Sequence, residues 1–168
     1  SNTNAGGWEG CDLRYDVLGS TNTNDGDATA TTATNPVANT LMAALPSDLR
    51  AVMQPMTIYT DNTGGGSDNA SYVTKTTDYL PLLAEYEIFG TRTYANSAEK
   101  NYQAQYAYYS AGNSKVKYRH SATSSTAWWW ERSPYYNFSG YFCNVNTNGG
   151  ANYTGARDSY GVAPAFRV

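Results

Sequence analysis

The sequence predicts an α+β protein in which short helices and small antiparallel sheets are joined by long irregular segments. Apolar residues recur at helical spacing in a few stretches, such as residues 8–18 and 97–109. Other stretches, such as residues 56–60 and 141–145, alternate along the chain as half-buried strands do. Segments rich in Gly, Asn and Thr separate these elements. A chain of 168 residues is long enough for a hydrophobic core, so we expect one domain.

The first third of the chain is predicted to be mainly helical. Leu13 and Val17 are four residues apart, and Gly19 follows where helices often end in a left-handed residue. Further on, Asn35 and Pro36 are typical of an N-cap and a first helical position. In chain order we expect a helix at 8–18, a loop at 20–34, a helix from Asn35–Pro36 that Pro46 interrupts, and one or two further turns at 47–53.

The middle of the chain is predicted to mix strands with helical segments. Ser97 can cap a helix. Tyr102, Tyr106 and Tyr109 follow, with four residues between the first two positions and three between the last two, so they would share one helix face. The simplest interpretation is that these tyrosines form a wall of the core. In chain order we expect a strand at 56–60, a connection at 61–69, a returning strand at 71–76, a buried strand at 78–84, a helical turn at 85–89 closed by Gly90, a helix at 97–109, and an edge strand at 115–120.

Two apolar blocks bracket the last quarter of the chain. Trp128, Trp129 and Trp130 cannot all face water at low cost, so at least one should anchor the core. Arg132 is expected to be a buried, paired guanidinium that holds a turn, with Glu131 either its partner or exposed. We expect a strand at 141–145, a turn at 147–150, and a final strand at 162–168.

Composition disfavours two classes of partner. Charged residues make up only 15% of the chain and the net charge is −3, so a protein that binds the phosphate backbone of nucleic acids is not expected. No run of 18 or more apolar residues and no signal peptide is found, which argues against membrane insertion. The chain starts at Ser1 without a Met, which suggests the C-terminal part of a longer protein.

The chain lacks the common motifs of catalysis and metal binding. His120 is the single histidine, and no Gly-x-Ser-x-Gly, His-x-x-x-His or Cys-x-x-Cys pattern accompanies it. Glu85 and Glu87 are two residues apart and would point in different directions, so we interpret them as surface or capping groups. Cys11 and Cys143 are interpreted as buried free thiols, although a bridge is possible if the fold brings them together. No cofactor and no metal ion is therefore predicted.

Residues 135–160 have the composition of a recognition surface. They consist largely of Tyr, Asn, Ser, Thr and Gly. Antibody loops use the same set, because Tyr offers a large rigid contact area while small polar residues offer adaptable hydrogen bonds. The sequence thus predicts a binding surface held between the two apolar blocks.

Six segments carry a resemblance to a known family. They are GGWE at 6–9, LPSDLR at 45–50, LAEYEIFG at 83–90, WWERSP at 129–134, FCNVN at 142–146 and GVAPAFR at 161–167. In this combination, which spans nearly the whole chain, the sequence resembles the variable proteins of diversity-generating retroelements, in the version found in phages and prophages of gut bacteria.

The resemblance implies a C-type-lectin-like fold, with two main helices and small antiparallel sheets, as a single domain over residues 1–168. It also implies a variable ligand-binding region at about 128–168. The fixed frame would comprise Trp129, Trp130, Arg132, Ser133 and Pro134 on one side and Gly161, Val162, Pro164 and Phe166 on the other. The exposed variable positions would be Tyr135, Tyr136, Phe138, Tyr141, Thr147, Tyr153, Thr154, Arg157, Asp158 and Tyr160.

The function implied is recognition rather than catalysis. The partner would be a protein or glycan receptor on a bacterial surface, and the domain would sit on a phage tail fibre or a bacterial cell surface. A homotrimer formed through the parent protein is compatible with the resemblance. The calcium-binding motifs of sugar-binding C-type lectins are missing, since Gln54 and Pro55 are followed by Met56. A structural module for fibre assembly is the alternative, and an enzyme related to formylglycine-generating enzymes is a further one.

Overall fold

A computed structural model describes residues 2–22 and 30–168, and all of its helices and strands are short. The helices are a π-helical turn at Leu13–Val17, α1 Ala30–Thr34, α2 Leu41–Ala44, α3 Ser47–Val52, a 3-10 turn at Ala70–Tyr72, α4 Glu85–Phe89, a 3-10 turn at Ser97–Asn101 and α5 Ala107–Ser110. The strands are β1 Met56–Asp61, β2 Val73–Asp78, β3 Lys117–Arg119, β4 Ala122–Ala127, β5 Trp129–Pro134, β6 Tyr141–Val145 and β7 Ala151–Gly155. The α+β class is confirmed.

The strands form three small antiparallel sheets, with orders β1-β2, β3-β4 and β5-β6-β7. In the last sheet β6 is central, and Cys143 stands opposite Tyr153 on β7. The β5 register shifts between Trp130 and Pro134, and within this bulge the Arg132 amide donates to the Leu83 carbonyl instead of to β6. The bulge therefore ties the sheet to the segment that precedes α4.

Strands β5 and β6 pack against apolar clusters on both faces of the sheet β5-β6-β7, whereas β7 is half-buried. Trp130 and Phe142 pack with Trp8, Leu18 and Leu82 in one apolar cluster. Trp129 and Val145 pack with Ile88 and Tyr109 in another. A third cluster, around Met42, Met53 and Leu80, lies under α2 and α3. The prediction that at least one of the tryptophans anchors the core is confirmed by Trp129 and Trp130.

A buried ion pair joins the N-terminal segment to the end of β2. The Arg14 Nε atom donates to the Asp78 Oδ1 atom at 2.6 Å, and both side chains are fully buried. Ser20 and Thr76 donate their hydroxyls to the same carboxylate, at 2.7 and 2.6 Å. A buried carboxylate needs such donors, because leaving it unpaired costs several kcal/mol. Asp78 therefore links the π-helical turn, through Arg14, and the segment after it, through Ser20, to the end of β2.

Three helix predictions need correction. The helix expected from Asn35–Pro36 begins only after Thr40, whose Oγ1 accepts a hydrogen bond from the Ala43 amide, because the left-handed Asn39 (φ 65°) precedes it. The single helix expected at 97–109 is broken, since the backbone between Tyr102 and Tyr106 is not helical and the Tyr106 amide donates to the Glu87 carbonyl. Two main helices are not found among the described residues, where the longest α-helix has six residues.

Two strand predictions are also wrong. Residues 79–84 are buried but irregular, since Tyr79 and Arg132 make isolated bonds to Ser20 and Leu83 rather than a ladder, and Pro81 has no amide hydrogen to donate. Residues 162–168 contribute only an isolated bridge through Arg167, to Gln54, because a proline again interrupts the run.

The wall of the core expected from Tyr102, Tyr106 and Tyr109 is found for Tyr109 alone, since Tyr102 is 54% and Tyr106 44% exposed. The other sequence predictions agree with the structure in outline. The helix expected at 8–18 is reduced to the π-helical turn at Leu13–Val17. The hairpin β1-β2, the helix at 85–89 ended by the left-handed Gly90 (φ 66°), the strand at 115–120, and the strand at 141–145 with the turn after it are found as expected. Of the loop expected at 20–34, residues 30–34 form α1, and residues 23–29 lie outside the described residues. Cys11 and Cys143 are free thiols, with Cys11 half-buried. No helix within residues 2–22 and 30–168 combines the length and the apolar character needed to cross a bilayer.

Candidate ligand-binding surface

Five of the ten predicted site residues come together at one end of the sheet β5-β6-β7. With one further residue, Tyr94, they form a continuous set of aromatic rings that we call the aromatic cluster: Tyr94, Tyr135, Tyr136, Phe138, Tyr141 and Tyr153. They come from the segment after α4, the connection between β5 and β6, and the hairpin β6-β7.

Close ring contacts hold the aromatic cluster together. The rings of Tyr135 and Tyr153 stack with centroids 4.3 Å apart and planes 5° apart. Tyr94 meets the edge of Tyr153 at 4.8 Å, and Phe138 lies 4.8 Å from Tyr141. Such pairs add about 0.5–1.5 kcal/mol each beyond the area they bury. The cluster is therefore a preformed surface rather than a set of independent side chains.

The tyrosines of the cluster are half-buried, and Phe138 is the most exposed ring, at 54%. Each tyrosine thus packs one part of its ring against a neighbour and leaves the other part at the surface. Arg92 extends this surface, because its guanidinium carbon lies 3.9 Å from the centre of the Tyr136 ring, within the range of a cation–π interaction.

Asn4 fixes the connection between β5 and β6 that carries three of the rings. Its side-chain amide nitrogen donates to the carbonyls of Tyr135, Phe138 and Tyr141, at 3.1, 3.2 and 2.7 Å. Its side-chain oxygen accepts from the Gly65 amide at 2.8 Å. One fully buried side chain therefore satisfies the Tyr135 and Phe138 carbonyls of an irregular loop, and it shares the Tyr141 carbonyl with the Tyr135 amide.

A buried polar network holds the end of β5, the strand that leads into the connection carrying three of the rings. The Arg132 guanidinium binds both oxygens of Glu87, at 2.6 and 2.7 Å, and donates to the Thr60 hydroxyl at 2.7 Å. Ser133 donates its hydroxyl to Glu99 at 2.7 Å. Burial raises the pKa of Glu99 to about 7, although hydrogen bonds from the Asp61 amide and Ser133 act in the opposite direction. The expected pairing of Arg132 is confirmed, and its partner is Glu87.

Glu131 is neither the partner of Arg132 nor exposed, so that prediction is wrong. Its side chain is buried, and neither of its carboxylate oxygens has a hydrogen-bond partner. The carboxylate oxygens of Glu131 and Glu85 and the Cys143 sulfur lie within 4.8 Å of one another, which is the arrangement among the described residues that could hold a metal ion. The prediction that Glu85 and Glu87 are surface groups is likewise wrong, although Glu87 does cap α4 by accepting from the Ala84 amide.

The other five predicted site residues lie outside the cluster. Thr147 is in the β6-β7 turn, and Arg157 and Asp158 are exposed after β7. Thr154 accepts a hydrogen bond from the buried Asn144 side chain at 2.6 Å. Tyr160 stacks on Trp128, with centroids 5.4 Å apart.

Tyr160 lines a separate, half-open cavity of about 420 Å³. Its wall also includes Trp8, Cys11, Trp130 and Phe142. Phe142 neighbours Cys143 on β6, so the cavity lies against the sheet face opposite to Tyr153. The cavity and the aromatic cluster are therefore distinct features.

Sequence reasoning missed Tyr94, Arg92 and Asn4. All three are distant in sequence from the tyrosine-rich segment, and only the fold brings them to it. The bond from the Tyr136 amide to the Tyr94 carbonyl, which aligns the two segments, is invisible to sequence periodicity. An isolated tyrosine after a helix carries no signal of its own.

Comparisons with known proteins identify a domain family. The family model described as "Domain of unknown function (DUF6273)" matches residues 1–168. The searches of curated proteins and of solved structures found no match.

Proposed function

We propose that this chain, which belongs to the DUF6273 family, is a non-enzymatic domain that binds a protein or glycan receptor through its aromatic cluster. The observation that carries the proposal is a surface of six contacting rings, three of them on the β5-β6 connection that Asn4 holds in place. Half-exposed aromatic rings in a fixed arrangement are costly to leave on a surface unless a partner covers them.

The chemistry of this surface suits recognition. Tyr and Arg are the residues that most often dominate binding energy at interfaces, because they bury large areas and keep a polar end for hydrogen bonds. Few rotamers are lost on binding, since the rings are already stacked. The cationic Arg92 beside Tyr136 adds a directional polar group at the edge of the cluster.

We further propose that the fold is C-type-lectin-like and that residues 128–168 are diversified by a retroelement. The three small antiparallel sheets and the frame formed by buried β5 are compatible with that arrangement. Phe138, Arg157 and Asp158 lie exposed in connections, where the backbone tolerates many side chains. The domain would then be displayed on a phage tail fibre or a bacterial cell surface.

Genomic sequence gives a direct test of diversification. We expect a reverse transcriptase gene beside the coding sequence and a near-copy of the segment for residues 128–168 that differs only at adenines. Clonal sequencing should then find substitutions at Tyr136, Phe138 and Arg157 but not at Trp129 or Arg132. A locus without the near-copy, or with substitutions spread evenly over the chain, would refute this part of the proposal.

Binding is tested with surface variants that leave the fold intact. Tyr136→Ser combined with Phe138→Ser removes two outer rings, whereas Tyr118→Ser removes an exposed ring on β3 as a matched control. Fluorescently labelled protein is applied to a panel of bacterial cells and glycans. We expect the double variant to lose binding at least tenfold and the control to keep it, and equal binding by both would contradict the proposal.

The same double variant separates recognition from fibre assembly. If the aromatic cluster is an assembly surface, the solution mass of the double variant, measured by light scattering, should fall relative to that of the wild-type protein. If the cluster faces a receptor, the mass should stay unchanged while binding is lost.

A further inference from the structure

Glu131 is the least satisfied charged group among the described residues of the core. Only 2% of its surface is exposed, and both carboxylate oxygens lack a hydrogen-bond partner. Every other buried carboxylate near it has donors: Glu87 binds Arg132, Glu99 accepts from Asp61 and Ser133, and Glu85 accepts from backbone amides. A buried carboxylate in this state is costly, so its persistence points to a missing partner.

Two further groups converge on Glu131. One carboxylate oxygen of Glu85, one of Glu131 and the Cys143 sulfur all lie within 4.8 Å of one another, and all three residues are buried. Glu85 is held in place by the amides of Thr93, Tyr94 and Ala95, at 2.8 to 2.9 Å. The three groups come from three different elements, α4, β5 and β6.

The charges around this site do not balance. Four buried carboxylates, those of Glu85, Glu87, Glu99 and Glu131, lie near this site, whereas the nearby cations are the two guanidinium groups of Arg132 and Arg92. Burial, followed by the nearby charge of Glu85, raises the pKa of Glu131 well above its ordinary value. Burial, followed by the charge of Glu131, raises the pKa of the Cys143 thiol in the same way. Either protons or a cation must compensate for the excess of negative charge.

A proton compensates for the charge but not for the missing contacts. Neither oxygen of Glu131 has a hydrogen-bond partner, and protonation would add an O–H donor that itself needs an acceptor. A cation between the three groups would bind a carboxylate oxygen and remove the charge at the same time.

We propose that Glu85, Glu131 and Cys143 form a three-ligand site for a divalent transition-metal ion of the zinc type, with a water molecule as the fourth ligand. A thiolate sulfur with two carboxylate oxygens suits zinc, whereas calcium takes six to eight oxygen ligands and magnesium an octahedral set of oxygens. In a tetrahedral zinc site the ligand atoms lie about 3.5 Å apart, given bonds of about 2.0–2.3 Å. Ligand atoms that lie within 4.8 Å of one another would therefore have to close by at most about 1.3 Å to reach this spacing. Cys143 and Glu131 release their protons to solvent as the ion binds.

The ion would lie beneath the aromatic cluster. Cys143 pairs with Tyr153 across the sheet, and Glu85 holds the amide of Tyr94. A bound ion would thus join α4 to the sheet directly under two of the rings. The expected consequence is a stiffer surface and a more stable fold, without any part in catalysis.

The test measures zinc binding to tag-free full-length protein. After dialysis against zinc and then against metal-free buffer, elemental analysis should find about one zinc per chain. Tm should rise by about 5 °C or more when zinc is well above its Kd, compared with protein in a chelator. Cobalt added in place of zinc should give a thiolate-to-cobalt charge-transfer band.

Matched variants assign the ion to this site. Glu131→Gln and Cys143→Ala should each lose the zinc-dependent rise in Tm and the cobalt band. Cys11→Ala, which removes the other thiol, and Glu99→Gln, which removes a buried carboxylate outside the trio, should keep both. Glu131→Gln removes only the charge and so remains informative if Cys143→Ala unfolds.

Two outcomes would overturn the proposal. Zinc retained equally by Glu131→Gln and Cys143→Ala would mean binding at exposed groups such as His120. No zinc uptake, together with a Glu131→Gln variant that is more stable than wild type in chelator, would mean that a proton occupies the site. Neither outcome bears on the receptor-binding proposal, whose variants lie outside the trio.

Discussion

Replacing Glu99 with Gln should change how the stability of this protein depends on pH. Burial raises the pKa of Glu99 from 4.5 to about 7 in the folded protein. The neutral acid is therefore favoured inside, where Ser133 and the Asp61 amide are its neighbours. A glutamine has the shape of the neutral acid and cannot ionise. The substitution therefore removes only the pH-dependent part of the contribution that Glu99 makes to folding stability.

The sign and size of the effect follow from proton linkage. Between pH 4.5 and about 7 the folded state keeps a proton on Glu99 that the unfolded state has lost, so stability falls as pH rises. The contribution of Glu99 is fully present below pH 4.5 and is lost by about pH 7. Each pH unit corresponds to about 1.4 kcal/mol, which gives about 3 kcal/mol over this window.

Urea unfolding, monitored by tryptophan fluorescence, measures the free energy of unfolding at each pH. A chelator is present at every pH. The Glu99→Gln variant should gain about 3 kcal/mol relative to wild type between pH 4.5 and 7. Glu85 and Glu131 also have raised pKa values and add a slope of the same sign, but they do so in both proteins. If the wild-type and variant curves stay parallel across this window, Glu99 ionises normally and the reasoning is wrong.

Two further variants test the frame of the aromatic cluster by urea unfolding. Arg132→Met should cost about 3–5 kcal/mol, because it leaves Glu87 buried without its partner, and Glu87→Gln in the same chain should recover part of the loss. A wild-type unfolding midpoint for Arg132→Met would show that the ion pair contributes nothing. Gly64→Ala should cost at least about 2 kcal/mol more than Gly65→Ala. Both glycines have positive φ, at 63° and 77°, but a Cβ on Gly64 would lie 2.0 Å from the Asn4 carbonyl oxygen whereas a Cβ on Gly65 meets nothing within 4 Å. Equal losses would mean that the contact with Asn4 relaxes freely.

Local sequence patterns predicted the parts of the fold that local physics controls. The hairpin β6-β7 and the end of α4 at Gly90 depend on alternation and on one left-handed residue, and both were predicted. The helix at 97–109 was predicted from tyrosine spacing, yet Gln103 and Gln105 donate their side-chain amides to the carbonyls of Tyr59 and Ile88 across the interior. Tertiary hydrogen bonds of this kind override helical periodicity and leave no trace in it.

The candidate site divides in the same way. The composition of residues 135–160 led to the prediction that their tyrosines form a binding surface, because residues of this type are concentrated in one stretch. Tyr94 could not be predicted, since it joins the cluster through a loop that folds onto the sheet. The convergence of Glu85, Glu131 and Cys143 was also out of reach, because residues so far apart in sequence form no motif.

The hydrogen bonds of Asn4 have a consequence for the order of folding. One side-chain amide nitrogen near the opposite end of the chain makes three hydrogen bonds to the loop between β5 and β6 and to its junction with β6, so the shape of the loop depends on a contact of very long sequence separation. Contacts of this kind form late, because the intervening chain has to be closed first. A synthetic peptide copying residues 128–168 would therefore carry the right aromatic side chains and lack the conformation that arranges them.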